Sequence, residues 1–217
     1  HFYENENGKF INVSDKIGLK NESFGGYGLG VAIGDLDMNG YIDIYVSNDY
    51  TSPDFLYMNQ GDGTFKEEIN KRTSHIALYS MGNDIADFNN DGLLDIFALD
   101  MSAEDHIRTK TQMSGMNTSM FNELVEFGLP HQYMYNTLQL NNGNGTFSEI
   151  GQLAGVQSTD WSWTPLFADF DNDGFKDLLV TNGYRLDDRD NDYTRRVRKK
   201  NGNKEGLNEA EEMDLFK

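Results

Sequence analysis

Apolar residues along this chain fall in short alternating or continuous runs, not in helical stripes. Ile42-Asp43-Ile44-Tyr45-Val46 alternates with a period of two, and Leu178-Leu179-Val180 is a brief apolar run. Both are too short and too rich in β-branched or apolar residues for long helices, so they predict strands. The stretches "FLYMNQGDGTFKEEI" (55–69) and "TLQLNNGNGTFSEI" (137–150) share an apolar strand, an Asn, a Gly-x-Gly turn, Thr-Phe and a return strand. That order is a hairpin signature. "HFYENENGKFINV" at the start of the chain repeats it, one residue shorter.

Between the hairpins, polar clusters stand directly before apolar runs. "ADFDNDGFKDLLV" (168–180) carries Asp169, Asp171, Asp173 and Asp177 around one glycine. Carboxylates two residues apart repel, and burying one without a partner costs several kcal/mol or more, so the spacing calls for a cation. Oxygen ligands at positions 1, 3 and 5, a glycine at 6 and a backbone carbonyl at 7 repeat the first half of a calcium loop. Here the carbonyl is that of Phe175 and position 9 is Asp177; Val180 occupies position 12, where an EF-hand needs Glu, so this is a different loop. A single D-N-D-G could be only a turn. The pattern returns, however, with Asp35, Asp37, Asn39, the Tyr41 carbonyl and Asp43, and again with Asp87, Asn89, Asp91, the Leu93 carbonyl and Asp95. Three copies favour metal over a turn alone.

The two motifs keep a fixed phase: Asn59 to Asp87 is 28 residues, and Asn141 to Asp169 is again 28. Such regularity marks a structural repeat. Each unit reads as strand, metal loop, strand, connection, strand, Gly-x-Gly turn, strand, which is a four-stranded antiparallel blade of about 50 residues. The fold class expected is therefore all-β, a partial β-propeller of about three blades, with blade-like units at 1–53, 54–136 and 137–184. Asp35 to Asp87 is a step of 52 residues and Asp87 to Asp169 one of 82. The excess of 30 is an insertion at about 100–135, where "NTSMFNELVEFGLP" predicts one short helix ending at a Gly-x-Pro stop. Residues 185–217 read as a polar excursion with a helix near the end. Propellers have four to eight blades, so three units are expected to be a segment of a longer protein, with further blades elsewhere in the same chain.

Charge changes the picture of partners. The chain of 217 residues has 36 acidic and 18 basic side chains, a net charge of −18, and no cysteine. Ten of the acids sit in the three loops, so about three bound calcium ions would bring the net charge to about −12. A surface this negative repels phosphate backbones, which excludes nucleic acid as a partner. No run of 18 apolar residues occurs, so no helical membrane span is expected. Loops this short bind calcium in the regime of about 10⁻⁴ to 10⁻³ M, which points to an extracellular or cell-surface location, with the periplasm as a further possibility. The start at His1, with no leader in view, reads as a processed or excised piece.

Other signals are weaker. "GLGVAIG" (28–34) resembles a dinucleotide loop but runs into Asp35 and its metal loop, not into a helix. His1, His75, His106 and His131 lack zinc-ligand spacing, and no G-x-S-x-G elbow appears. Trp163, on the strand entering the third loop, is expected in packing between blades, whereas Trp161 stands nearer a connection and is open to either packing or recognition.

The stretch "FGGYGLGVAIGDLDMNGYIDIYVSND" resembles an FG-GAP repeat, with Phe24-Gly25 as its opening pair and Ser47-Asn48-Asp49 where that family often has Gly-Ala-Pro. "LYMNQGDGTF" and "WTPLFADFDNDGFKDLLVTNG" are similar to the related VCBS-type repeats of large bacterial secreted and surface proteins. The resemblance covers roughly 1–100 and 135–184 and implies the calcium-binding β-propeller of integrin α-subunits. The expectation is a non-enzymatic interaction or adhesion scaffold of an exported bacterial protein. The alternative is the calcium-stabilised frame of a polysaccharide lyase or other glycan-processing enzyme; thrombospondin-type calcium repeats fit less well because they depend on cysteines. Strand parity sends the insertion to the face opposite the metal loops, so Phe121, Phe127, His131 and Trp161 are the expected contacts for a protein or glycan ligand.

Overall fold

The computed structural model describes residues 1–19, 26–50, 52–112 and 117–183. The expected Phe24-Gly25 pair and the excursion after Tyr184 lie outside them. The chain divides into two compact units, one of 1–104 and 116–184, the other of 105–115 and 185–217.

In the first unit, β1 (Tyr3–Glu6) and β2 (Lys9–Asn12) form a two-stranded antiparallel hairpin, closed by Asn7 and Gly8 in left-handed conformation. Next come β3 (Tyr27–Gly34), β4 (Asp43–Asp49), β5 (Phe55–Asn59) and β6 (Phe65–Glu67), which pair in sequence order as a four-stranded antiparallel sheet. A one-turn helix, α1 (Ile69–Arg72), and a two-residue strand, β7 (Ile76–Ala77), follow. The second four-stranded sheet begins with β8 (Asn83–Ala86) and β9 (Asp95–Ala98).

The chain then departs through β10 (Met101–Ser102) and returns only at β12. In that excursion the second unit contributes α2 (His106–Gln112), whose first turn is capped by Asp105 accepting from the amides of Ile107 and Arg108. Back in the first unit, α3 (Thr118–Glu126) starts at Asn117, whose side chain accepts from Ser119 and Met120 amides. It ends at Phe127 and a left-handed Gly128. One helix was expected and two are found. Asp105 offers the cap that starts α2, but no Gly-x-Pro stop marks its end. β11 (Gln132–Tyr133) pairs in parallel with β7, and β12 (Thr137–Asn141) and β13 (Phe147–Glu149) complete the second sheet in the order β13-β12-β9-β8. A second one-turn helix, α4 (Gly151–Ala154), leads to β14 (Asp160–Ala168) and β15 (Asp177–Asn182).

The fold is thus mostly β with antiparallel sheets and, among the described residues, no closed barrel. Sheet membership groups residues 27–67 and 83–149, across the expected unit boundaries at 53/54 and 136/137. The third sheet, β10-β14-β15, takes an edge strand from the insertion, pairing Met101 with Trp161. Parity alone could not foresee that pairing, because it depends on where the insertion folds back.

One strand of each of these three sheets lies beside the next, β3 against β8 and β8 against β14. Glycine permits this approach: a Cβ on Gly82 would run into the carbonyl of Trp163, and one on Gly30 would stand 3.0 Å from the backbone nitrogen of Asn83. Side chains then tie the sheets together. Asn83 Nδ2 donates to Ser47 Oγ at 2.7 Å, and the Phe167 amide donates to Asp84 Oδ2 at 2.7 Å. Between the first two sheets a core of Leu36, Tyr45, Leu56, Met58, Ile69, Ile76, Ile96, Ala98 and Phe147 excludes water. Trp163 covers Gly183, just past the end of the neighbouring strand, and is 44% exposed. The bulge between Ser162 and Thr164 turns it outward.

At the end of these sheets away from the metal-type loops, two carboxylates are fully buried. Asp54 accepts from Tyr45 Oη at 2.6 Å, the Asn48 amide at 2.9 Å and Ser80 Oγ at 3.0 Å. Asp100 accepts from the amides of Leu78, Tyr79 and Met101. Burial, with the neighbouring Asp100 charge adding to it, pushes the Asp54 carboxyl up to about 7 despite those donors. Burial likewise raises Asp100 to about 6. A raised carboxyl holds its proton in the fold while the unfolded chain releases it, so these groups lower stability as pH rises from about 4 to about 7. Asp54→Asn keeps an acceptor and removes the charge. Its unfolding midpoint should match the parent near pH 4 and exceed it increasingly toward pH 7, by a few kcal/mol at most; parallel urea titrations with a chelator present read this difference.

Candidate metal centre

Each of the three polar loops joins two adjacent antiparallel strands of a sheet: 35–42 between β3 and β4, 87–94 between β8 and β9, and 169–176 between β14 and β15. Their internal hydrogen bonds repeat. The first aspartate accepts twice from the loop backbone: Asp35 from the amides of Asn39 and Gly40 at 3.0 and 2.8 Å, Asp87 from those of Asp91 and Gly92 at 3.1 and 2.9 Å, and Asp169 from those of Asp173 and Gly174 at 3.1 and 3.0 Å. The fifth residue caps the seventh, through Asn39 to Tyr41, Asp91 to Leu93 and Asp173 to Phe175, all at 2.8 Å. Left-handed backbone recurs at position 4 (Met38, Asn90, Asn172) and position 6 (Gly40, Gly92, Gly174). In the first and third loops this winding brings the oxygens of positions 1, 3 and 9 together.

The ninth residue closes each loop. Asp43 accepts from the Leu36 amide, Asp95 from Phe88 and Asp177 from Phe170. In the first two sheets its other oxygen reaches across to the third strand, where Asn59 and Asn141 donate their amides at 2.8 Å. Those asparagines complete the joint. Asn59 Nδ2 donates to the Ile42 carbonyl and its Oδ1 accepts from Gly61; Asn141 Nδ2 donates to the carbonyls of Leu94 and of Leu36 in the first loop, and its Oδ1 accepts from Gly143. The sequence shows both asparagines at a fixed place before Gly-x-Gly, which is the signal that could have marked them as part of the site. The seventh side chains lie over the same turns, Tyr41 against Gly61 and Leu93 against Gly143. Asn90 Nδ2 donates to the Gly174 carbonyl, so the second loop also touches the third.

Carboxylate oxygens of Asp35, Asp37 and Asp43 lie within 4.8 Å of one another, as do those of Asp169, Asp171 and Asp177. The second loop lacks such a trio because Asn89 stands at position 3, its amide nitrogen 2.9 Å from Asp91 Oδ2. Asn39, Asp91 and Asp173, expected as direct ligands, each also use an oxygen to cap position 7. Burial raises the Asp43 carboxyl, with the Asp37 and Asp35 charges adding to it. Burial, with help from Asp91 and Asp87, pushes Asp95 up to about 6. In the first loop Asp37 Oδ1 is buried and has no hydrogen-bond partner. An orphaned anionic oxygen amid converging carboxylates fits a hard divalent cation, which takes oxygen ligands and relieves their repulsion. The first and third loops therefore fit a metal ion in their acidic groups.

The remaining sequence-derived residues lie elsewhere. Antiparallel pairing of β9 puts Asp95 at the loop end and Ala98, from which the insertion departs, at the other. Phe121 of α3 packs on His131 and Tyr133, ring centres 5.7 and 5.4 Å apart, and Tyr133 stacks on Tyr135 with His75 edge-on to both. Phe127 closes α3 and is 80% exposed, while Trp161 sits in β14 opposite Met101. The tyrosines and His75 escaped sequence reading because β7 and β11, which assemble them, are two residues long.

Asn141 is 4% exposed and joins two loops to one turn. Asn141→Ala should cost about 2–4 kcal/mol, since it strands three backbone groups, one of them buried and two part-buried, whereas Asn144→Ala in the exposed turn should cost under about 1 kcal/mol. Denaturant unfolding of the two variants checks the contrast.

Comparison with known proteins agrees with this repeat structure. The chain is 26% identical over 204 residues to cartilage acidic protein 1 of Xenopus tropicalis, covering 79% of this chain and 31% of that protein. It is 23% identical over 187 residues to the mouse and human proteins of the same name, covering 72% of this chain and 29% and 28% of theirs. It thus spans under a third of the length of these relatives. The model of the FG-GAP-like repeat matches residues 35–98 and 124–180, which take in all three loops and both Asn-x-Gly-x-Gly hairpins. With more than half its length so matched, this chain belongs to the FG-GAP-like repeat family.

Proposed function

We propose that this chain is a segment of a β-propeller that binds calcium in its three polar loops and serves an exported protein as a non-enzymatic scaffold for interaction or adhesion. The observation that carries the reading is the loop itself. One nine-residue arrangement, with the same backbone caps and the same left-handed positions, occurs three times on neighbouring strand pairs. Calcium suits the sites better than magnesium: carboxylate, amide and backbone oxygens in a flexible loop meet its loose six- to eight-fold demand, whereas magnesium holds near-ideal octahedral geometry and retains water. The propeller reading draws on the adjacency of β3, β8 and β14 as inner strands, with the antiparallel sheets leading away from them. The relatives are called acidic and assigned by name to cartilage; this chain shares the acidity, with a net charge of −18. An extracellular site for it accords with the weak-binding regime of short calcium loops.

In this reading calcium is structural. Asp35, Asp37 and Asp43, with the Asn39 and Tyr41 oxygens, hold one ion; Asp87, Asn89, Asp91, Leu93 and Asp95 a second; Asp169, Asp171, Asp173, Phe175 and Asp177 a third. A protein or glycan partner would dock at the end away from the loops, on Phe121, Phe127 and His131 of the insertion and on Trp161, since long connections on a rigid frame carry recognition.

Calorimetric titration should find calcium binding, with the tightest site lost in Asp169→Ala, because the third loop alone offers four carboxylates. A chelator should lower the melting temperature and excess calcium restore it, by mass action on the folded state. A melt indifferent to calcium, in protein shown to have lost its ions, would overturn the reading.

A further inference from the structure

The first loop has a cation built against it. Arg72, the last residue of α1, is 13% exposed and sets Nη2 3.6 Å from Asp37 Oδ2. Its Nε donates to Glu68 Oε2 at 2.9 Å, and Nη1 donates to the Gly145 carbonyl, in the turn between β12 and β13, at 3.1 Å. Glu68 is 6% exposed and also holds Lys66 and Lys71. Fixed on two sides by these bonds, the guanidinium keeps its third side toward the loop. Asp37 thus faces two ways, one oxygen toward Arg72 and the other buried without a partner.

The internal repeat gives a comparison. Glu67 accepts from the amides of Leu56 and Ile69, and Glu149 accepts from those of Leu138 and Gly151, so the two are equivalent. That register sets Glu68 opposite Ile150 and Arg72 opposite Ala154, just as the loops set Asp37 opposite Asn89. The first repeat has both the anion and the arginine; the second has neither.

We infer that Arg72 is an internal counter-charge that shares Asp37 with the cation of the first loop and makes this the weakest of the three sites. The inference rests on the calcium reading of the loops. A guanidinium beside one oxygen of a ligand carboxylate withdraws part of its charge and repels an ion arriving at the other. Formal loop charge is −3 in the first loop and −3 in the second, from three aspartates each, and −3 in the third, from four aspartates and Lys176. Arg72 brings the first to −2, below both of the others. Where position 3 is the neutral Asn89, no such counter-charge is present at the equivalent site, and none is needed to balance it.

Tyr41 provides a local readout, because the second and third loops carry Leu93 and Phe175 at its position. Terbium emission excited through tyrosine, displaceable by calcium and abolished in Tyr41→Phe, reports the first loop. Neutral variants Arg72→Met and Arg72→Gln should shift half-saturation to roughly tenfold lower terbium, while Arg72→Lys stays near the parent. Metal-free melts of the variants establish that each is folded. Displaceable emission that is unchanged or weakened in both neutral variants would overturn the inference and leave the calcium reading standing. Absence of any displaceable emission from the parent, with no calorimetric heat on adding calcium, would overturn both.

Discussion

The carboxylate at the ninth loop position is the joint on which this architecture depends. Asp43 and Asp95 are completely buried, yet each spends one oxygen on its own loop and the other on the third strand of its sheet. Two strands and a loop are thereby locked through a single side chain. A buried anion so placed is costly, and its raised pKa records the cost. A divalent cation in the loop would reverse the balance, turning a repulsive cluster into the tie that holds the sheet end together. Folding and metal binding are in this sense one problem: the geometry that collects the oxygens is also the geometry that orders the strands.

The joint extends sideways. Asn141 reaches from the second sheet to the Leu36 carbonyl of the first loop, Arg72 from the first sheet to Gly145 of the second, and Asn90 from the second loop to the third. These contacts form a polar seam along one end of the sheets, while the apolar cluster around Tyr45, Leu56 and Ile96 fills the space between the first two. Polar bonds define how adjacent sheets register; burial supplies the bulk of the stabilisation. At the far end the order inverts, with Asp54 and Asp100 buried against hydroxyls and backbone amides. One end is thus suited to a bound ion and the other to a proton.

Sequence by itself determined the features that are local. Loop chemistry was legible because Asp at positions 1 and 9 and Gly at 6 are demanded by the loop's own backbone, whatever surrounds it. Hairpins and antiparallel strands were legible because alternation and Gly-x-Gly turns encode them within a dozen residues. The helix at 118–126 was legible from its Gly-x-Pro end. Tertiary structure alone decided what depends on partners far along the chain. It brought Arg72 to Asp37, Asn141 to Leu36 and Met101 to Trp161. It laid Trp163 over Gly183. The physical reason is range: a loop's winding is set by φ and ψ preferences of neighbouring residues, whereas a charge or an aromatic ring finds its partner only after the sheets have packed.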